Sequence, residues 1–122
     1  YSIAHLNLEK RISKLLGFES TLVTNSGYLS NVGLLNAVSK NKIDVFQDRE
    51  NHNSIIESSR LAGTKLIRYQ HLDYESLENK VIASNADKKI IIADSVFSMT
   101  GEKSDLIKLS SIAKKYKCLL FI

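Results

Sequence analysis

Four short stretches carry the residues able to do chemistry. Asn25-Ser26-Gly27-Tyr28 closes an apolar run and opens an amphipathic one. A Ser-Gly turn at a helix start can bind an anion. The first helical N–H groups lack internal partners, the helix dipole is positive there, and glycine lets a phosphate approach the backbone. The plainer reading is a helix cap. His52, in Asn51-His52-Asn53-Ser54, lies a few residues past a strand-like run, where an imidazole can stack on a heteroaromatic ring and move protons near neutral pH. A capping or surface histidine is its plainer role. Ser98, in Val96-Phe97-Ser98-Met99-Thr100-Gly101, can donate to a phenolate or phosphate oxygen, or simply make a turn. His71-Leu72-Asp73 reads as a polar residue before a helix cap.

Elements that would position these groups follow from spacing. Helices are expected over 1–16, about 27–39, 52–62 and 74–83, the last capped by Asp73, and again from Ser104 or Asp105. The inward residues would be Ile3, Leu6, Leu8, Ile12, Leu15 and Leu16 in the first helix; Leu29, Val32, Leu35 and Val38 in the second; Ile55, Ile56, Ser59 and Leu61 in the third. Leu77 and Val81 follow in the fourth, and Leu106, Leu109, Ile112 and Ala113 in the fifth. Strands are expected over 20–24, 43–48, 65–69, 89–94 and 118–122. Ile90-Ile91-Ile92-Ala93 is uniformly apolar, as for a parallel strand covered on both faces. Alternation of this kind implies an α/β fold, a mostly parallel sheet with helices on both faces. Ligands then bind beyond the carboxyl ends of strands. Those ends fall at Asn25-Ser26-Gly27, Asp48 to His52, Arg68 to His71 and Asp94 to Ser98, so the chemical stretches converge.

Composition narrows the classes. The chain has 122 residues, at most one domain, with ordinary apolar and charged fractions. No apolar run approaches the ~20 residues of a membrane span. The formal charge is +4, but the lysines are scattered (Lys40, Lys42, Lys65, Lys88, Lys89, Lys114, Lys115, Lys117) without aromatic interleaving. That argues against nucleic acid and leaves a mild field for anionic substrates. One cysteine, Cys118, excludes a disulfide framework and fits a reducing, cytoplasmic setting; it reads as an inert buried thiol. Nothing marks a metal site. The chain starts at Tyr1 and stops within an apparent strand, so a piece of a longer protein is expected.

In order and spacing, the stretches resemble the α-oxoamine synthases, pyridoxal-phosphate enzymes of the aspartate-aminotransferase fold (fold type I). His5 with Leu8-Glu9 resembles H-x-x-L-E; Ser26-Gly27-Tyr28 with Asn31 resembles S-G-[FY]-x-x-N. Asp48 with His52-Asn53-Ser54 resembles D-x-x-x-H-x-S, His71-Leu72-Asp73 resembles H-N-D, and Val96 to Glu102 resembles V-F-S-M-D-G-D. Thr100 and Glu102 stand where the family has Asp, Asp94 where it has Glu, and Ser59 where Gly is common. The resemblance implies that residues 1–122 are part of the cofactor-binding large domain of a homodimeric acyltransferase joining an amino acid to an acyl-CoA. Gly27 and Tyr28 would bind the cofactor phosphate through backbone N–H groups. His52 would stack on the pyridine ring and act catalytically on protons, and Ser98 would bond near the phenolic oxygen. Gly27 favours an alanine-using member over glycine-using relatives, which more often have cysteine there. The family's pyridinium-pairing Asp and Schiff-base Lys fall beyond Ile122, so this polypeptide alone is expected to be inactive. A flavodoxin-like phosphate-binding module is the alternative from another class.

Overall fold

The computed structural model describes residues 1–39 and 42–122; Lys40 lies outside the described residues. The elements in order are α1 (Ile3–Leu16), α2 (Gly27–Val38), β1 (Ile43–Asp48), α3 (Asn53–Leu61), β2 (Lys65–Tyr69), α4 (Tyr74–Ala83), β3 (Lys88–Ile92), α5 (Leu106–Lys115) and β4 (Leu119–Phe121). The sheet is fully parallel in the order β2-β1-β3-β4.

Both faces of the sheet are covered, which explains the uninterrupted apolar strands. Phe46 and Ile91 face one layer, where they join Leu77 and Val81 of α4 and Leu109, Ile112 and Ala113 of α5. Val45, Ile90 and Ile92 face the other, against Leu35 of α2 and Ile55 of α3. Neighbouring residues along β1 and β3 therefore serve opposite layers, as the two-residue strand period requires.

Several expected features take a different form. Residues 20–24 are not a strand: they pair with no strand among the described residues. Their polar groups are met by α1 instead. The Val23 N–H donates to Glu9 Oε1 at 2.9 Å, and Ser13 Oγ donates to Thr21 Oγ1 at 2.9 Å. The apolar stripe of α1 is present in sequence but open, with Ile3 77%, Leu15 82% and Leu16 60% exposed, because none of the sheet's layers lies over it. Leu29, Leu61 and Leu106 are also exposed rather than inward. Lys65, Lys88 and Lys89 belong to strands, and Cys118 lies just before β4. The Cys118 thiol is half-buried, and burial pushes its pKa up, which disfavours the reactive thiolate.

Candidate active site

Strand order reverses between β1 and β3: β2 lies to one side of the pair and β4 to the other. In open parallel sheets, such a switch point leaves a crevice at the carboxyl ends, where ligands bind. Here the crevice is built from the loops that follow β1 and β3 and from the N-terminus of α2.

The two loops are stitched together. Asn51, buried just past β1, donates from Nδ2 to the Ile92 carbonyl at 2.8 Å and accepts the Asp94 N–H at Oδ1. Asp94 returns a bond: its Oδ2 accepts the His52 N–H at 2.7 Å. His52 is thus placed as the N-cap of α3, where its Nδ1 accepts the Ser54 N–H at 3.2 Å. The Ser54 hydroxyl is 2.8 Å from the same nitrogen and accepts from Asn31 Nδ2 at 2.8 Å. With Nδ1 accepting, the neutral ring carries its proton on Nε2. The His52 residue is exposed, and no hydrogen bond to Nε2 is made among the described residues.

The Asn31–Ser54 bond also fixes α2 against α3 one turn below Gly27. At the helix start, Ser26 Oγ accepts the Leu29 N–H at 3.2 Å, and the Ser26 carbonyl accepts the Ser30 N–H. Among the described residues, no acceptor meets the N–H groups of Gly27 or Tyr28. A Cβ built on Gly27 would meet nothing within 4 Å, so no neighbour crowds the helix start at this residue. Two unpaired donors at a positive helix end, with an uncrowded glycine at its first position, suit a phosphate. A cavity of about 260 Å³ between α2, α3 and the end of β3 runs from Asn31 and Leu35 past Ile55 to Asp94 and Phe121.

Ser98 lies in the loop after β3, at the same carboxyl edge, with an exposed side chain. It makes no hydrogen bond to His52, Gly27 or Tyr28 among the described residues. The loop is closed by Phe97 N–H to Glu102 O at 2.9 Å, Gly101 N–H to Phe97 O at 2.8 Å, and a bridge between Val96 and Lys103. The structure therefore links His52 to α2 through Ser54 and Asn31 and places Ser98 on the same edge without a bond to either.

Sequence reasoning named Asp48, Asp94 and Glu9 as motif positions but gave them no supporting role. Asp48 is 1% exposed; its Oδ1 accepts the Glu50 N–H and its Oδ2 the Leu72 N–H, each at 2.8 Å. A carboxylate ending an otherwise apolar strand is the signal that could have found it. Asp94 carries the same signal at the end of β3. Glu9, a charged residue on an apolar helix, is buried against Val23. The Tyr1 hydroxyl and the Val23 N–H hold its pKa below the ordinary glutamate value.

The chain belongs to the aminotransferase class I and II family, whose model matches residues 1–122. Among its relatives are 8-amino-7-oxononanoate synthases: that of Chlorobaculum parvum is 42% identical over 94% of this chain and 30% of its own length. That of Lysinibacillus sphaericus is 41% identical over 97% of this chain and 31% of its own length. The chain thus spans about a third of the length of these relatives. Among solved structures, the 8-amino-7-oxononanoate synthase of Francisella tularensis superposes with a TM-score of 0.80 at 26% identity, covering 92% of this chain and 32% of that one. The serine palmitoyltransferase of Sphingomonas wittichii superposes with a TM-score of 0.94 at 22% identity, covering 98% of this chain and 30% of that one. The fold is the fold type I architecture that the motifs lead one to expect. Strand order alone also suits a flavodoxin-like sheet; the family match over the whole chain decides between them.

Proposed function

We propose that the protein containing this chain is a pyridoxal-phosphate-dependent acyltransferase of the 8-amino-7-oxononanoate synthase type. It would condense L-alanine with pimeloyl-CoA, releasing CoA and CO2, as a step of biotin biosynthesis. The observation that carries the reading is the pairing, at one switch point, of two open N–H groups on α2 with an imidazole of fixed tautomer on α3. The names of the relatives support the substrates.

In this reading the N–H groups of Gly27 and Tyr28 hold the cofactor phosphate, with the dipole of α2 behind them. His52 covers the pyridine ring and carries protons at Nε2, because Nδ1 is occupied by Ser54. Ser98 donates to the cofactor near its phenolic oxygen. When bound, the cofactor supplies an electron sink for charge developing at the amino-acid α-carbon. Asp94 and Asn51 keep the His52 backbone in register with the end of β3. Residues 1–122 form part of the large domain. The pyridinium-pairing Asp and the Schiff-base Lys come from elsewhere in the protein, which we propose works as a cytoplasmic homodimer.

The test is CoA release by the intact protein from pimeloyl-CoA and from shorter acyl-CoAs, each with alanine or with glycine. Preference for alanine and formation of 8-amino-7-oxononanoate are expected. Preference for glycine with acetyl-CoA would instead assign a 2-amino-3-ketobutyrate CoA ligase type. His52→Ala should slow turnover by about 100-fold or more, as for loss of a general acid–base group; unchanged kinetics would remove His52 from the reaction.

A further inference from the structure

The His71 ring is held on three sides. Nδ1 lies 2.8 Å from Asp48 Oδ1, and Nε2 lies 3.0 Å from Glu102 Oε2. Phe97 meets the ring edge to face, with centroids 4.5 Å apart. Ionised carboxylates only accept hydrogen bonds, so both ring nitrogens must donate, and the imidazolium alone carries two N–H groups. The two acids come from different places: Asp48 ends β1 in the buried layer, whereas Glu102 belongs to the exposed loop after β3. Phe97 and Glu102 are also the two residues whose backbones close the turn around Ser98. One side chain therefore touches both stems of that turn and ties them to the sheet.

We infer that His71 is a positioning residue: as an imidazolium bridging Asp48 and Glu102, it fixes the Phe97–Glu102 turn and so aims the Ser98 hydroxyl at the cofactor. The aim at a cofactor rests on the proposed function; the anchoring of the turn does not. The charged groups facing the ring are Asp48 from β1 and Glu102 from the loop. The nearby Tyr69 phenol is kept neutral, its pKa pushed up first by burial and then by the charge of Asp48. Burial opposes the His71 charge, but the bonds to Asp48 and Glu102 outweigh it and hold the pKa above the ordinary histidine value. Raising the pH through that titration removes one donor, so one carboxylate loses its bond and the turn loosens.

The experiment uses the intact protein and two readouts taken together between pH 6 and 9. One is side-chain NMR of His71, which gives its midpoint; the other is amide hydrogen exchange of residues 96–103, corrected for intrinsic rates. Exchange should rise about tenfold across the His71 midpoint, the effect of losing one hydrogen bond to a charged group, while β1 and α2 stay protected. Glu102→Gln, at an exposed position that should not disturb folding, should lower the His71 midpoint, and the pH at which the turn loosens should fall with it. If the midpoint moves and the loosening pH does not, or if exchange is flat with pH, the inference is overturned. His52→Ala should leave this coupled response intact. A failure of the cofactor reading, seen as cofactor binding indifferent to His52 and Ser98, is thereby separable from a failure of the anchor.

Discussion

The His52 N–H donates to the Asp94 carboxylate across 2.7 Å, so the first residue of the α3 cap hangs from the end of β3. Asp94→Ala should release it. In the intact protein, cofactor affinity is expected to fall about tenfold, the effect of losing one bond to a charged acceptor. Asp94→Asn, which keeps an oxygen acceptor, should lose less. Cofactor titration followed by absorbance measures both, and equal losses would show that the charge rather than the geometry matters.

Ser54 orients the imidazole. Ser54→Ala removes the hydroxyl between Asn31 and His52 Nδ1 but leaves the backbone donor. Turnover should drop about tenfold with phosphate-dependent cofactor binding nearly unchanged. A matched loss of both would place Ser54 in general support of the fold.

Leu72 adopts φ 53°, a left-handed conformation that is costly for a branched apolar residue and easy for asparagine. The motif it resembles has Asn there. Leu72→Asn should stabilise the protein by about 1 kcal/mol, read as a higher urea midpoint with unchanged m-value. A lower midpoint would mean that the Leu72 side chain contributes packing that outweighs the strain.

Stability should also depend on pH through His71. Its folded pKa is raised, so its contribution is fully present below the unfolded value of about 6.5. That contribution is lost as pH climbs through the folded value. Glu102 has the opposite sign. Hydrogen bonds from His71 and then Thr100 lower its pKa, so its contribution holds above the unfolded glutamate value of about 4.3 and fades in acid. The melting temperature should decline above neutrality in the natural protein, with a shallower decline in His71→Asn. An equal decline in both would assign the effect to other groups.

Helices and strands whose apolar residues face one of the two layers were legible in the sequence. Asp73 caps α4 as expected, and β1 and β2 match their expected bounds. Periodicity failed where burial did not decide the outcome. Residues 20–24 have strand-like composition, but β propensity needs a pairing partner, and side chains of α1 meet their polar groups instead. The stripe on α1 reported amphipathicity without saying what would cover it. At the candidate site, the positions of Gly27 and His52 at helix starts were legible because each sits at a break between periodic runs. The partners of Asp48, Asp94 and His71 lie 23 to 42 residues away in sequence, so a local pattern can flag the two carboxylates but cannot say what they hold.

Glu9 has one further consequence. Its carboxylate grips the amide of Val23, three residues before the Ser26 cap. A helix that touches no layer of the sheet is thereby geared to the mouth of the anion cradle. Through this bond a displacement of α1 would be felt in the leader to Ser26-Gly27, tethering an outlying element to the turn.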